Sequence, residues 1–522
     1  MSASPDPASL PDVRLAGFLQ SGLGLGETGR LIAHSLTTAG VRFSTHTWEK
    51  KDIATVPFDG IPASAPAPAA TADSRPGISL LSLNGEHLSS FMKSSGAELF
   101  QDRYVISIWF WELPELSGPS RAGFKFVDEV WAATPFIQDA LSKHSGDVPV
   151  KRWQHPVRQP VGDAAAARAR FPFDNRFVFL FSFDYQSCVK RKNPDAVCEA
   201  FTLAFPEPLP GGPLCLIKSI NGPLHPVAFT LLRHRWAHRP DIVFMDEFLS
   251  SADRDLLTWR ADACVSLHRS EGLGLTLLEA MAIGKPAIAT NYSGNLAFMF
   301  PENSWLIPWT SVKVGPGSLH YPADQDWAEP DPAAAAVALR EVFAGGPAVQ
   351  EKAAAGARYI QEHHSPEACG RLIAKLLSEA AGRKPRSRTQ SPVTGRREAY
   401  ASLAKSREID WDTKPSATWL KIPHVLADLY RKTARTVRAD RQTLSLTLAA
   451  LKHQEERHRA SMEFMQRRVD RLGEELSQVV QLLPKLPPHQ SPLPLAAAPA
   501  SAPDTAAAAA SSPANPSPVP AS

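Results

Sequence analysis

One run of 28 residues, ACVSLHRSEGLGLTLLEAMAIGKPAIAT at 263–290, restricts the fold more than any other part of this chain. ACVSL at 263–267 and PAIAT at 286–290 are short apolar segments with polar or glycine neighbours, the pattern of buried strands. Between them, 275–283 holds strong helix formers and no breaker, and Gly284 stands where a helix is terminated by a left-handed residue. Strand, glycine-bearing turn, helix and strand in 28 residues is the repeat of a parallel α/β sheet. The helix start near Gly274, Leu275 and Thr276 offers unpaired N–H groups and a positive dipole end to an anion. Gly272 and Gly274 allow close backbone approach, with Leu273 between them. Glu271 lies in the turn and Glu279 on the helix, roughly 10 Å apart along the axis at ~1.5 Å per residue. Carboxylate, anion site, carboxylate suits a sugar–diphosphate–ribose ligand, because carboxylates accept hydrogen bonds from sugar hydroxyls. Taken alone, two glutamates eight positions apart are also compatible with a solvated crossover helix.

The order of chemistry along the rest of the chain supports the ligand. VRLAGFL at 13–19 reads as a strand, followed by glycines at 22, 24, 26 and 29 and a helix from about 28 to 40. Their spacing is G-x-G-x-G, so the dinucleotide fingerprint is not met, and a tight turn is the competing reading. Gly24, Leu25 and Gly26 are the close-approach positions. ISLLSL at 78–83 ends at Glu86 and His87, which read either as ligand contacts at a strand end or as helix capping. YVISI at 104–108 leads into WFWELP, where Trp111 and Glu112 suit sugar stacking and hydroxyl recognition. The aromatics there are equally compatible with a core plug, whereas a buried carboxylate needs a partner.

A second unit starts with FVFLFSF at 177–183. Lys190, Arg191 and Lys192 follow just before a helix expected over 195–205. Cations at a strand end beside a helix start make a second anion site. LCLIK at 214–218 places Lys218 at another strand end, IVFM at 242–245 is a further strand, and His268 opens the central turn.

The segment HRSEGLGLTLLEAMAIGKP, with Glu271, Glu279 and the GLGETGR loop upstream, resembles the E-x7-E signature of retaining glycosyltransferases of family 4, bacterial surface-glycan type. The WFWEL and EVWA runs resemble a subset of the bacterial members. The resemblance spans about residues 13–380 and implies a GT-B architecture, two Rossmann-like domains facing a cleft: an acceptor domain at 13–170 and a nucleotide-sugar domain at 171–381. In that family a lysine and an arginine hold the donor diphosphate. Lys192 matches the lysine; where the arginine normally lies this chain has Gln186 and Ser187, and Arg191 is the substitute. The resemblance further implies a metal-independent hexosyl transfer from a nucleotide sugar, GDP-mannose favoured, to a glycan or lipid-linked acceptor. The nucleotide sugar is a co-substrate, and no cofactor is expected. A catalytically silent GT-B scaffold is the alternative, for which the displaced arginine counts.

Composition adds bounds. The net charge of +3 gives no pull toward nucleic acid. Five cysteines without CxxC spacing read as free thiols rather than zinc ligands or disulfides, a cytoplasmic pattern. Residues 1–12 are read as disordered and 57–76 as an irregular loop. Basic residues in 382–417 form a linker, for which a peripheral membrane contact through 383–397 is expected. A long helix at 418–484 carries a three-four seam over 444–483 that fits a coiled coil, for self-association or a partner protein, or a helix folded onto the enzyme. The Pro/Ala-rich tail at 485–522 is expected to be disordered.

Overall fold

The computed structural model describes residues 10–21, 24–48, 76–94, 97–316, 318 and 321–386. The N-terminal expectation for 1–9, the loop at 57–75, Gly22, the linker beyond 386, the helix with its seam at 444–483 and the tail lie outside these residues.

Two parallel six-stranded sheets carry the molecule. The first contains β1 (Val13–Gly17), β2 (Phe43–Thr47), β3 (Gly77–Ser82), β4 (Arg103–Trp109), β5 (Glu129–Ala132) and β6 (Val150–Arg152), in the order β2-β1-β3-β4-β5-β6. The second contains β7 (Val178–Asp184), β8 (Leu214–Ile220), β9 (Ile242–Asp246), β10 (Ala263–Ser266), β11 (Ala287–Thr290) and β12 (Trp305–Ile307), ordered β12-β11-β10-β7-β8-β9. Read from the other edge, that is 3-2-1-4-5-6, the Rossmann order. β4 and β7 bury nearly every residue, as expected where helices cover both faces of a parallel sheet. A separate antiparallel hairpin, β13 (Trp309–Lys313) with β14 (Asp326–Pro330), is inserted after β12.

Each strand expected from an apolar run is present. The apolar-run pattern does not reach β2, which is half-buried, β6 and β12, which are three residues long, or the hairpin, whose first arm is mostly exposed. The first helix begins at Gly24 instead of about 28. Gly26 belongs to the opening turn because it fits against the strand end: a Cβ there would sit 2.5 Å from the Ser21 carbonyl oxygen and 2.6 Å from that of Phe18. The last helix, Pro366–Ala380, leaves the second sheet and packs on the first helix, Gly24–Thr38, of the other domain. Gly370 makes this possible, since a Cβ there would lie 2.4 Å from the Ser35 carbonyl oxygen. Beyond it, the Arg383 guanidinium reaches the fully buried carboxylate of Glu129 at 3.2 Å. All five cysteines are buried and unpaired. Among the described residues no helix is long and apolar enough to cross a membrane.

Candidate functional site

In an open parallel sheet the chain leaves adjacent strands in opposite directions where the order reverses, opening a crevice at their carboxyl ends. In the second sheet that point lies between β7 and β10, which are direct neighbours. The two segments leaving it carry Lys190 to Lys192 and the turn at 267–274. They are joined closely: Arg269 N donates to the Arg191 carbonyl at 2.8 Å, and Arg191 Nη1 donates to the Ser270 carbonyl at 2.7 Å.

This brings together Arg191, Lys192 and Glu271. Lys192 Nζ lies 2.5 Å from one Glu271 oxygen and Arg191 Nη1 lies 3.2 Å from the other. Burial alone would raise the Glu271 carboxyl, but Lys192 and Arg191 outweigh it and hold the group at about 2. Burial lowers Lys192 despite its acidic partner. Burial also works against the Arg191 charge, yet Tyr321, Glu271 and Glu112 raise its pKa further. Arg191 Nε is buried without a hydrogen-bond partner among the described residues. Within this group two cations face one carboxylate, an excess of one positive charge before Glu112 on the facing wall is counted. The start of the helix Leu275–Ala282 adds to it, with Gly274 at φ +96° as the capping residue. That conformation favours glycine and lets the first-turn amides face outward.

The other wall is the corresponding reversal in the first sheet, between β1 and β3. Gly24, Leu25 and Thr28 come from the first helix, Asn84 and Glu86 from the end of β3, and Phe110, Trp111 and Glu112 from the end of β4. The walls enclose a cavity of 470 Å³, lined also by Lys192, Arg191, Glu271, Gly272, Leu273, Gly274, Leu275, Thr276, Gln186, Ser187, His155 and Tyr321. The domains touch at its rim. Thr134 Oγ1 donates to the Gly272 carbonyl at 3.2 Å, and Ser270 Oγ donates to the Glu112 carbonyl. Gly272 faces the Trp111 backbone across the cleft, where a Cβ would lie 3.4 Å from the Trp111 carbonyl oxygen, an ordinary contact distance.

Several expected site residues stand elsewhere. The Gly26 expectation is corrected: its close approach is to the Phe18 and Ser21 carbonyls, not to a ligand. Lys218 is buried and spends its ammonium on the Ser219 and Glu247 carbonyls at 2.9 and 2.6 Å, away from the cavity lining. Burial brings its pKa down to about 8. His268 is fully buried behind the wall, hydrogen-bonded to Ser266, Asn295 and the Tyr292 carbonyl. His87 packs edge-on against Phe18 and also contacts Trp48, outside the lining. Glu86 does line the cavity and accepts from Ser120 Oγ at 3.0 Å. Glu279, half-buried in the second turn of the helix, is not in the lining. Burial raises its carboxyl to about 7. Among the described residues no group of three His, Cys, Asp or Glu is placed to hold a metal ion.

Two lining residues had no signal in the sequence. His155 Nδ1 lies 2.6 Å from the Pro156 carbonyl, which can only accept, so Nδ1 carries the proton. Burial pushes the ring's pKa down to about 3, and its Nε2 accepts from Thr28 Oγ1 at 2.9 Å. Tyr321, between the arms of the hairpin, donates to Glu112 Oε2 at 2.9 Å.

Residues 237–310, which include both Glu271 and Glu279, match the family model for glycosyl transferases group 1. Sucrose-phosphate synthase from Thermosynechococcus elongatus superposes with a TM-score of 0.53 at 15% identity, over 71% of this chain and 99% of that one. The fold is GT-B. A glycosyltransferase from Rickettsia africae gives 0.50 at 13% identity, over 71% of this chain and 98% of that one. A comparison with curated sequences gives no match. The matched segment and the GT-B architecture support a glycosyltransferase, and the matched segment is the one that supplies Glu271 and the helix start at Leu275.

Proposed function

We propose that the chain is a retaining hexosyltransferase of the family 4 type, acting from a nucleotide sugar on a glycan or lipid-linked acceptor in cell-surface polysaccharide synthesis. The observation that carries this is the Arg191–Glu271–Lys192 group set against the start of the helix Leu275–Ala282 inside the cavity. The diphosphate lies over the helix start and takes Lys192 and Arg191 as counter-ions. Glu271, released from Lys192, accepts hydrogen bonds from the sugar. Glu279, one helical turn beyond the cavity-lining Thr276, accepts from the ribose at the cavity edge.

The reaction breaks the bond between the anomeric carbon and the diphosphate oxygen, whose electrons stay with the phosphate. The acceptor oxygen bonds to that carbon on the same face, and its proton passes to the departing phosphate oxygen. Charge gathers on the diphosphate as the bond loosens, where the two cations and the helix dipole stabilise it electrostatically. GDP-mannose is the donor that the sequence resemblance favours.

The displaced arginine was the feature favouring a silent scaffold. Arg191 occupies the cavity wall beside Gln186 and Ser187, which supports an active site. The test is nucleotide release from a panel of nucleotide sugars. Turnover of at least one, lost in Lys192→Ala and in Glu271→Ala, is expected. Near-wild-type turnover in both variants overturns the proposal.

A further inference from the structure

The hairpin β13–β14 belongs to the second domain, yet it reaches the first domain at a point that opens into the cavity. At its far arm, Gln325 exchanges hydrogen bonds with the Glu115 backbone: Nε2 donates to the carbonyl at 3.2 Å and Oε1 accepts from the amide at 3.3 Å. Deeper in, the Tyr321 hydroxyl donates to Glu112. Burial and the neighbouring Glu112 keep the phenol protonated, so the direction of that bond is fixed.

Glu112 is held at two points and open at a third. Its carbonyl accepts from Ser270 Oγ, its Oε2 accepts from Tyr321, and its Oε1 accepts no hydrogen bond among the described residues while the residue lines the cavity. The Trp111 ring, 5.8 Å from that of Tyr321, stands beside it with its Nε1 donated to the Glu115 carbonyl. Arg191, the diphosphate counter-ion, is close enough that both Tyr321 and Glu112 act on its charge. A carboxylate with one oxygen locked and one available, next to aromatic rings and one residue from the diphosphate site, suits a hydroxyl on a sugar.

We infer that Tyr321 is a positioning residue for acceptor attack: by fixing one oxygen of Glu112 it aims the other at the acceptor hydroxyl, so that the hairpin completes the acceptor subsite. The inference rests on the glycosyl-transfer reading. The role is in orientation, so loss of the phenol hydroxyl should lower turnover while donor binding stays.

The experiment uses the full chain with whichever nucleotide sugar of the panel it hydrolyses, water being the acceptor, and measures kcat and donor KM separately. Tyr321→Phe is expected to lower kcat about tenfold with KM within twofold. Glu112→Gln should lower kcat at least as much, and the double variant should match Glu112→Gln alone, because the two act as a unit. Gln325→Ala, which removes an anchor outside the cavity while the Tyr321–Glu112 bond remains, should lower kcat by less than Tyr321→Phe does. The inference is overturned by an unchanged kcat in Tyr321→Phe, by losses that multiply in the double variant, or by a Gln325→Ala loss equal to that of Tyr321→Phe. Should Tyr321→Phe not fold, the cycle is run with Tyr321→His under the same criteria. A wild-type chain that neither hydrolyses nor is thermally stabilised by any nucleotide sugar overturns the parent reading instead.

Discussion

The two walls of the cavity are built on the same topological feature and arm it differently. Where the second sheet reverses, three charged side chains converge in contact with one another and with a helix start. Where the first sheet reverses, the lining is mostly neutral or aromatic, with Thr28 bonded to a neutral His155 and Asn84 accepting from the Phe110 amide at 2.8 Å. Buried charges are expensive unless paired. The charged wall therefore stores its cations against Glu271 until a diphosphate replaces that partner, while the other wall, whose charged groups are Glu86 and Glu112, shapes the space.

The comparison breaks first at Lys192. Lys192→Ala removes a cation from the departing phosphate, and nucleotide release should fall on the order of 10²–10³-fold, the usual cost of deleting one donor at a site of developing charge. A loss below about threefold would mean that the charged wall does not bear on chemistry.

Next is Glu271→Ala, which leaves Arg191 and Lys192 facing each other. Unliganded stability should drop by roughly 3 kcal/mol, as for other broken buried pairs, seen as a lower midpoint in denaturant. Adding a nucleoside diphosphate should then raise the melting temperature more than in the wild type, since nothing competes for the cations. An equal or smaller rise contradicts the exchange.

Glu279 sharpens the contrast through pH. Its folded pKa of about 7 lies above the ordinary carboxylate value. Its contribution to stability is therefore present below the unfolded value and lost as pH rises through 7. Donor binding, which uses the ionised form, should tighten roughly tenfold between pH 6 and 8 if only that form binds. Titration of donor affinity in Glu279→Gln should be flat over that window. On the neutral wall, His155 does not titrate there, and Thr28→Val should change turnover by less than about tenfold, the scale of one neutral hydrogen bond. A larger loss would move Thr28 into the chemistry.

These differences also explain what could be read from the chain alone. Glu271, Gly274 and Thr276 fall within one strand–turn–helix unit, so their spacing reports their geometry. Lys192 and Arg191 were legible because a helix start follows them directly. Tyr321 and His155 reach the cavity from segments without periodic pattern, and only the docking of the hairpin and the neighbouring strand end places them. Gly26 was misread because glycine spacing reveals a close approach without showing whether a ligand or the chain's own backbone occupies it. Lys218 lies inside β8, two residues short of its end at Ile220, and the carbonyls that hold its ammonium come from that strand and from the segment after β9.

A crystal structure with a nucleoside diphosphate, taken from the donor that gives turnover, tests the central claim most directly. The account expects the outer phosphate within hydrogen-bond distance of Lys192 Nζ and of the Leu275 and Thr276 amides, with the Lys192–Glu271 contact opened. A diphosphate bound outside the cavity, or bound there with that contact intact, would contradict it.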